Sequence, residues 1–400
     1  MAGRRTNPAA RQGSRAARKG SLAARQDIAI EKLVAGGDGL AFVDGKAVFV
    51  PGVLPGETVR VRIVESQRDF DRAELLEVLS PSPDRVDAPC PLAGTCGGCD
   101  WLHIAHPRQL KLKADILREA FRRVGRVDCG DPAVQHGGPP LGYRNRVQVH
   151  RGRDGRLGYM AARSDRVVAA EGCPVAVAPI DTLFAGPVPD GGLERFTVFS
   201  DGHWLACEGL DDDRVLAVTI LGTGVAFSVG CFFQGNLAVL GSLVEFALEG
   251  VAGATAADLY CGVGLFGALL RGRVSRIIAV ESSTLSMSFA RRNIGDAVGE
   301  FFPMTVEQWI QSGSARERPD VLIVDPPRAG LGPEVRAHLA SAKPPRLIYI
   351  SCNPVTLARD VGDLSRAGYD LEALRLFDFY PQTSHIESVA RLVLKGSEPA

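Results

Sequence analysis

The 400-residue chain has no long apolar run, few aromatic residues and no excess of charge of either sign. No stretch approaches 18 consecutive apolar residues, so the sequence predicts no transmembrane helix. Its 46% hydrophobic and 23% charged residues are typical of a folded globular protein and exclude a disordered or fibrous chain. The length exceeds what one hydrophobic core usually serves, and we therefore predict two or three domains.

The N-terminus has neither acidic residues nor the apolar segment of a secretory signal. Residues 1–26 contain seven cations and no acid, with Ala, Gly and Ser between them, which predicts a disordered basic tail. The nine cysteines are accordingly expected to be reduced thiols in a cytoplasmic protein. Metal binding or catalysis is a more common use of such thiols than disulfide formation.

Short β-like runs separated by glycine and proline turns occupy residues 27–86. Asp44-Gly45 is the signal of a two-residue hairpin. Five short strands in such a segment are typical of a small barrel of the oligonucleotide-binding type, although composition does not exclude an SH3-like barrel. The predicted strands are 28–33, 40–43, 47–50, 58–64 and 73–79.

Three cysteines lie close together before a predicted helix. Five residues separate Cys90 from Cys96, and two separate Cys96 from Cys99. The helix has Pro107 in its first turn, Gly125 as its stop and an apolar stripe at helical spacing. That stripe consists of Leu110, Ala114, Leu117, Phe121 and Val124.

Two arginine-rich segments, 108–126 and 144–166, follow these cysteines. Tyr143 and Tyr159 flank or interrupt the second segment. Basic residues with interleaved aromatic residues are typical of single-stranded RNA binding, and an arginine-rich solvated surface is the alternative. Residues 87–234, which end in a β-rich stretch, are therefore predicted to form a central RNA-binding domain.

From about Gly235 onward, helices alternate with apolar strands. Such alternation predicts an open, mostly parallel sheet with ligands at the carboxyl ends of its strands. The predicted strands are 256–260, 276–280, 321–324, 347–350 and 388–394.

The first of these strands ends in a glycine turn. Gly262 and Gly264 allow the backbone to approach a ligand closely, and Glu281 ends the next apolar strand. A carboxylate at that place can accept hydrogen bonds from both hydroxyls of an adenosine ribose. The pattern fits a dinucleotide or S-adenosylmethionine. Because Leu265 and Phe266 stand where a third glycine would open the helix, S-adenosylmethionine is favoured.

Two later strands also end in motifs that suggest chemistry. In Asp325-Pro326-Pro327-Arg328 the prolines fix the backbone and hold the acid at the edge of the sheet. Ser351-Cys352-Asn353-Pro354 places a cysteine before a helix N-terminus, where a thiolate is stabilised. The alternative for a lone cysteine is a small buried apolar side chain. Glu387 adds an acid just before the last predicted strand.

Four features together fit methyl transfer to uracil: the cofactor turn, the thiol, the acid, and the Asp-Pro-Pro turn, which is related to a turn that presents nucleobases to S-adenosylmethionine in amino methyltransferases. C5 of uracil is a poor nucleophile until a thiolate adds to C6. After C5 has taken the methyl group, a base must remove its proton so that the thiolate is eliminated.

With these motifs the sequence resembles the RNA uracil-5-methyltransferase family, in particular the ribosomal-RNA branch with an N-terminal TRAM domain and an iron–sulfur cluster. The likeness extends over nearly the whole chain from about residue 27. The resemblance implies that Cys352 is the nucleophile and that Glu387 is the base. It also implies the cofactor-side residues Gln234 (in Phe232-Phe233-Gln234-Gly235-Asn236), Tyr260, Glu281 and Asp325.

The resemblance further implies four ligands of the cluster: Cys90, Cys96, Cys99 and Cys173. Four thiolates suit either a [4Fe–4S] cluster or zinc, and their spacing does not distinguish the two. The resemblance favours the cluster.

The sequence therefore predicts an enzyme that uses S-adenosylmethionine to form 5-methyluridine in RNA through a covalent Cys–C6 intermediate. The favoured substrate is 23S ribosomal RNA. Transfer RNA, 5-methylcytosine formation and a non-catalytic RNA-binding factor are the alternatives. We expect a monomer without membrane contact. The predicted domains are a tail (1–26), a TRAM-like β-barrel (27–86), a central RNA-binding domain with the cluster (87–234) and a Rossmann-like class I methyltransferase domain (235–400).

Overall fold

The computed structural model describes residues 25–187 and 192–397. In these ranges the chain forms two compact units, one of residues 25–32 and 39–81 and the other of residues 33–38 and 82–397. The predicted basic tail lies almost entirely outside the described residues. None of the helices in the described ranges combines the length and the apolar character that crossing a membrane requires.

The smaller unit is built on a barrel-like sheet of six strands. They are β1 (Arg25–Ala29), β2 (Lys32–Leu33), β3 (Gly39–Val43), β4 (Lys46–Val50), β5 (Thr58–Ser66) and β6 (Phe70–Ser80). The sheet order is β1-β5-β6-β4-β3-β2. The predicted strand 28–33 is therefore divided between β1 and β2, which lie at the two ends of this order. Between them, the amide of Ile30 donates to the carbonyl of Glu57, and the amide of Glu31 donates to the carbonyl of Leu40. The sheet thus closes on itself, as predicted for a small barrel.

The larger unit contains all eight α-helices of the described residues. Its elements are α1 (His106–Ala120), β7 (Ala133–Gln135), β8 (Arg146–Arg151), β9 (Leu157–Met160), β10 (Val167–Ala169), α2 (Ala178–Leu183), β11 (Arg195–Ser200), β12 (Leu205–Cys207), β13 (Leu216–Ile220), β14 (Thr223–Phe227), α3 (Leu237–Ala247), β15 (Gly253–Leu259), α4 (Leu265–Leu270), β16 (Val274–Val280), α5 (Thr284–Ile294), β17 (Gly299–Phe302), α6 (Val306–Gln311), β18 (Val321–Val324), α7 (Pro333–Ala342), β19 (Arg346–Ser351), α8 (Pro354–Arg366), β20 (Tyr369–Phe377) and β21 (Glu387–Leu394).

An eight-stranded sheet of order β17-β16-β15-β18-β19-β21-β20-β7 organises this unit. Strands β15 to β19 are parallel, and β21 is antiparallel to both of its neighbours. The open, mostly parallel sheet predicted from the alternation of helices and strands is confirmed. Strands β17 and β20 lack the continuous apolar runs of the central strands, and the sequence pattern did not reveal them.

A second, antiparallel sheet of order β10-β9-β8-β11-β12 and the hairpin of β13 and β14 form the middle of the chain. Val147 and Val149 of β8 and Phe196 and Val198 of β11 are buried in the core of this sheet. The predicted β-rich character of the middle segment is therefore correct. The edge strand β7 instead joins the eight-stranded sheet, where it runs parallel to β20.

Helix α1 begins with Pro107 in its first turn, as predicted, and continues into a π-helical turn, Phe121–Gly125. Its predicted buried face is wrong in part. Gln109 and Lys113 are fully buried, whereas Val124 is exposed. Polar side chains can be buried when they are paired, and the partners of these two lie more than 260 residues away in the chain.

Candidate active site

The thiol of Cys352 lies at the junction between β19 and α8. Asn353 caps the 13-residue helix α8, because its Oδ1 accepts hydrogen bonds from the amides of Val355 at 3.0 Å and Thr356 at 3.5 Å. Its Nδ2 donates to the carbonyl of Arg328 at 2.9 Å. The cap thus fixes the half-buried thiol at a helix N-terminus and ties it to the loop that follows β18.

Glu387 lies opposite this thiol, on the strand that pairs with β19. β19 and β21 are antiparallel with Ser351 opposite Ser388, so the next position along this register places Cys352 opposite Glu387. Glu387 is only 5% exposed. The nucleophile and the base implied by the resemblance are therefore brought together by strand register.

The ionisable groups around the thiol shift one another's pKa values. Burial, then Glu387, raises the pKa of Cys352 to about 11, while Arg328 opposes this shift by its charge and by a hydrogen bond to the thiol. Burial, then Asp325, raises the pKa of Glu387 well above its usual range. Burial also raises the pKa of Asp325 to about 7. The two carboxyls repel each other's charge, which disfavours ionisation of both at once.

Arg328 is a candidate functional residue that the sequence did not reveal, although it belongs to the Asp-Pro-Pro-Arg motif. A guanidinium group beside the thiol favours the thiolate. The Arg328 Nη2 also lies 3.4 Å from the ring nitrogens of His385. Desolvation and the positive charges of Arg328 and Arg144 lower the pKa of His385 to about 4, so this ring is neutral at pH 7.

The glycine turn after β15 provides the cofactor side of the site. The Glu281 carboxylate accepts hydrogen bonds from the amides of Gly262 at 3.1 Å and Ser283 at 2.7 Å. Gly264 has a φ of +77°, and a Cβ atom there would lie 2.9 Å from the Cα of Ala290. Glycine is therefore required where α4 approaches α5, and the acid predicted for the ribose is held directly at the turn.

Asp258 on β15 is a second residue that the sequence analysis did not select as a site residue. Its Oδ2 accepts a hydrogen bond from the amide of Gly267 at 3.1 Å, but its buried Oδ1 has no partner. Burial raises the pKa of Asp258 to about 7, and Asp325 and Glu281 add to the shift. An unpartnered carboxyl oxygen among these acids fits a polar or cationic ligand such as S-adenosylmethionine.

Asp325 follows β18, the strand between β15, which precedes the glycine turn, and β19, which precedes Cys352. Its amide donates to the carbonyl of Leu259 at 3.4 Å, next to Tyr260, which adopts a left-handed backbone with a φ of +62°. Gln234 lies on the loop before α3, and no hydrogen bond joins it to these residues in the described part of the chain. Of the same motif, Asn236 is structural: it caps α3 and donates to the carbonyl of Phe379 at 3.1 Å.

The four cysteines predicted as cluster ligands are close enough to affect one another. Burial raises the pKa of Cys99 to about 12, and the thiols of Cys173, Cys96 and Cys90 contribute to the shift. The described residues nevertheless contain no group of three or more His, Cys, Asp or Glu side chains arranged to hold a metal ion. The structure therefore brings these thiols near one another without confirming the cluster.

The two arginine-rich segments are partly neutralised by acids. In the first, Arg108 pairs with Asp84 at 3.4 Å and Arg123 with Glu119 at 2.7 Å. In the second segment, two arginines near the site lie against aromatic rings and not against described acids. The Arg144 guanidinium lies 5.5 Å from the centre of the Tyr380 ring, and the Arg146 guanidinium lies 5.5 Å from the centre of the Phe232 ring. These two cations have no ion pair with a described acid.

Comparison with known proteins agrees with this geometry. Residues 317–395 match the family model described as tRNA (uracil-5-)-methyltransferase, and residues 23–76 match the TRAM domain. The 23S rRNA (uracil(1939)-C(5))-methyltransferase RlmD of Pseudomonas fluorescens is 32% identical over 91% of this chain and 93% of its own length. An RNA methyltransferase of Bdellovibrio bacteriovorus is 33% identical over 91% and 93%. This chain belongs to the RNA uracil-5-methyltransferase family.

The family uses S-adenosylmethionine, and the chain is an S-adenosylmethionine-dependent RNA uracil-5-methyltransferase. A solved structure agrees in fold. It is the tRNA (uracil-54, C5)-methyltransferase of Pyrococcus abyssi in complex with S-adenosyl-L-homocysteine, with a TM-score of 0.69 and 24% identity. The match covers 92% of this chain and 100% of that one.

Proposed function

We propose that the enzyme methylates C5 of a uridine in 23S ribosomal RNA, with Cys352 as the nucleophile and Glu387 as the base. The observation that carries this proposal is the register of β19 and β21, which sets the thiol opposite a buried carboxyl. Bound S-adenosylmethionine supplies the methyl group as an electrophile.

In this mechanism the Cys352 thiol loses its proton to solvent, the thiolate adds to C6 of the uracil, and the electrons of the C5–C6 double bond move so that C5 can take the methyl group. Arg328 stabilises the thiolate that attacks and later leaves. Glu387 then accepts the C5 proton, the C5–C6 double bond re-forms, and the thiolate is eliminated. The raised pKa of Glu387 suits this step, because the ionised carboxylate is then a stronger proton acceptor than that of an ordinary glutamate.

We propose that Asp325, Tyr260, Glu281 and Gln234 contact the cofactor or the target base. Glu281 is held beside the glycine turn, and Asp325 lies between that turn and the Cys352–Glu387 pair. Asp258 would join them, since its buried Oδ1 lacks a hydrogen-bond partner among the described residues.

Two observations bear on the RNA substrate. The rRNA-methylating relative of Pseudomonas fluorescens matches nearly the whole chain, which favours 23S ribosomal RNA. The matching family model and the solved Pyrococcus abyssi enzyme are both described as acting on transfer RNA, which makes transfer RNA the second candidate. The unpaired cations Arg144 and Arg146 near the site suit the phosphates of either RNA.

The enzyme should transfer labelled methyl groups to 23S ribosomal RNA when it is incubated with S-adenosylmethionine and total RNA from a strain that lacks the gene. Mapping of the label should give one 5-methyluridine. RNA from the parent strain is the control and should accept little label, because its site is already methylated. Label confined to transfer RNA would overturn the choice of substrate, and label on cytosine would overturn the reaction.

We propose that the four clustered cysteines hold a [4Fe–4S] cluster with a structural role, because the reaction requires no electron transfer. Anaerobically prepared protein should then be brown and contain iron and sulfide in nearly equal amounts. Cys96→Ser should bleach the colour, whereas the matched variant Cys129→Ser, outside the set, should keep it. Stoichiometric zinc without sulfide would contradict the proposal.

A further inference from the structure

The segment that precedes the base Glu387 is held from outside its own sheet. Residues 378–386, here called the base segment, connect β20 to β21 and end directly before Glu387. Several hydrogen bonds to this segment come from two regions more than 260 residues earlier in the chain: the residues after Cys99 and the buried face of α1. The reaction derived above gives these contacts no task.

The first set of contacts comes from the cysteine-containing loop. Asp100 directly follows Cys99, and its Oδ1 accepts a hydrogen bond from the amide of Ser384 at 2.8 Å. The amide of Trp101 donates to the carbonyl of Gln382 at 3.0 Å. This loop therefore binds the backbone of the base segment three and five residues before Glu387.

The second set comes from α1, whose two fully buried polar residues both contact the base segment. The amide group of Gln109 makes a reciprocal pair with Gln382: its Nε2 donates to the side-chain oxygen at 2.9 Å, and its Oε1 accepts from the backbone amide at 2.8 Å. Lys113 donates to Asp378 at 2.6 Å and to the carbonyl of Tyr380 at 2.9 Å. Burying an amide and an ammonium group is costly unless each is paired, so these residues specify one position of the segment.

Gly37 packs closely against the contact between Asp100 and Ser384. Gly37 has a φ of +90°, and a Cβ atom there would lie 2.5 Å from Oδ2 of Asp100 and 2.7 Å from Cβ of Ser384. Its carbonyl also accepts a hydrogen bond from the indole of Trp101 at 3.4 Å. The backbone at Gly37 thus covers the contact between Asp100 and the base segment.

We propose that Asp100, Gln109 and Lys113 are positioning residues that hold Glu387 opposite Cys352. They act through the base segment, and through it the cysteine-containing loop supports removal of the C5 proton. The inference rests on the proposed role of Glu387 as the base. A misplacement of about 1 Å can cost about 10²-fold in rate, so a loosened segment should slow this step more than the steps before it.

Asp100→Ala tests the inference, because Asp100 is exposed and its loss removes one acceptor without opening the core. We expect turnover to fall by about tenfold to 10²-fold, with unchanged affinity for S-adenosylmethionine and for RNA. We also expect a methylated covalent protein–RNA adduct to accumulate on a denaturing gel. Asp100→Asn keeps an oxygen that can accept from Ser384 and should restore release of the RNA.

Two comparison variants separate the possible outcomes. Asp320→Ala removes a carboxylate that accepts from the amides of Ala254 and Thr255, at the opposite end of the strands from the site, and should produce no adduct. Glu387→Gln should accumulate the adduct on its own. If it does and Asp100→Ala releases RNA normally, or is slow without adduct, the positioning role is refuted. If Glu387→Gln forms no adduct, the base assignment itself has failed.

Discussion

Cys352→Ala is expected to abolish RNA methylation, with a loss of at least about 10³-fold, while the affinity for S-adenosylmethionine changes little. The thiol acts on the uracil and lies at the end of β19, whereas the glycine turn and Glu281 belong to β15 and β16. Without the thiolate, C5 remains a poor nucleophile. Transfer of labelled methyl groups and calorimetric titration with the cofactor measure the two quantities.

Cys231→Ala is the matched control, because Cys231 is a buried cysteine that the mechanism does not use. It should keep most of the activity. An RNA that carries 5-fluorouridine at the target position should form a stable adduct with the unaltered enzyme, since fluorine at C5 cannot leave as a proton. The same RNA should form none with Cys352→Ala. Full turnover by the alanine variant would remove Cys352 from the mechanism.

The reactivity of the Cys352 thiol should also depend on pH. Because burial and Glu387 raise the pKa of Cys352 to about 11, the thiol is protonated at pH 7 in the absence of RNA. Alkylation of Cys352 by iodoacetamide, followed by mass spectrometry, should therefore accelerate by about tenfold per pH unit between pH 7 and pH 10. A plateau below pH 8 would show that the thiolate is already formed in the free enzyme.

Glu387→Gln is expected to form the thioether and transfer the methyl group but to release almost no RNA. Glutamine has nearly the same shape as glutamate and cannot accept the C5 proton, so the thiolate cannot be eliminated. A methylated protein–RNA adduct should accumulate on a denaturing gel, and steady-state turnover should fall by at least about 10²-fold. Labelled cofactor distinguishes this adduct from one that formed before methyl transfer.

Glu372→Gln, which alters a carboxylate on β20 that pairs with Arg391, should release RNA normally. If Glu387 only orients the uracil, the Gln variant should instead bind RNA weakly and form little adduct of any kind. That result would remove Glu387 from the catalytic residues. The substitution should also lower the pKa of Cys352, because the Glu387 carboxylate raises it.

The elements that the sequence predicted well are those whose patterns are local. Continuous apolar runs identify the central strands β15, β16, β18 and β19, because a parallel sheet buries both faces of each strand. The glycine turn and the Ser-Cys-Asn-Pro motif follow directly from such strands. The edge strand β17 is half-buried throughout and has no such pattern, and therefore it escaped prediction.

The buried face of α1 shows where local patterns fail. Apolar spacing favoured Leu110 and Val124, but the helix buries Gln109 and Lys113 instead. The reason is that Gln382 and Asp378 supply partners for these polar groups. A partner that lies more than 260 residues away leaves no trace in the periodicity of the helix.

The sequence by itself determined the chemical groups of this enzyme: a thiol before a helix, an acid before the last strand, a glycine turn with its acid, and four cysteines in short motifs. Only the tertiary structure decided how these groups act on one another. The antiparallel register of β19 and β21 sets Cys352 opposite Glu387, and the loop after β18 brings Arg328 to the thiol. The physical reason is that strand pairing and burial, which shift the pKa values, depend on neighbours in space, whereas residue type and spacing are properties of the chain alone.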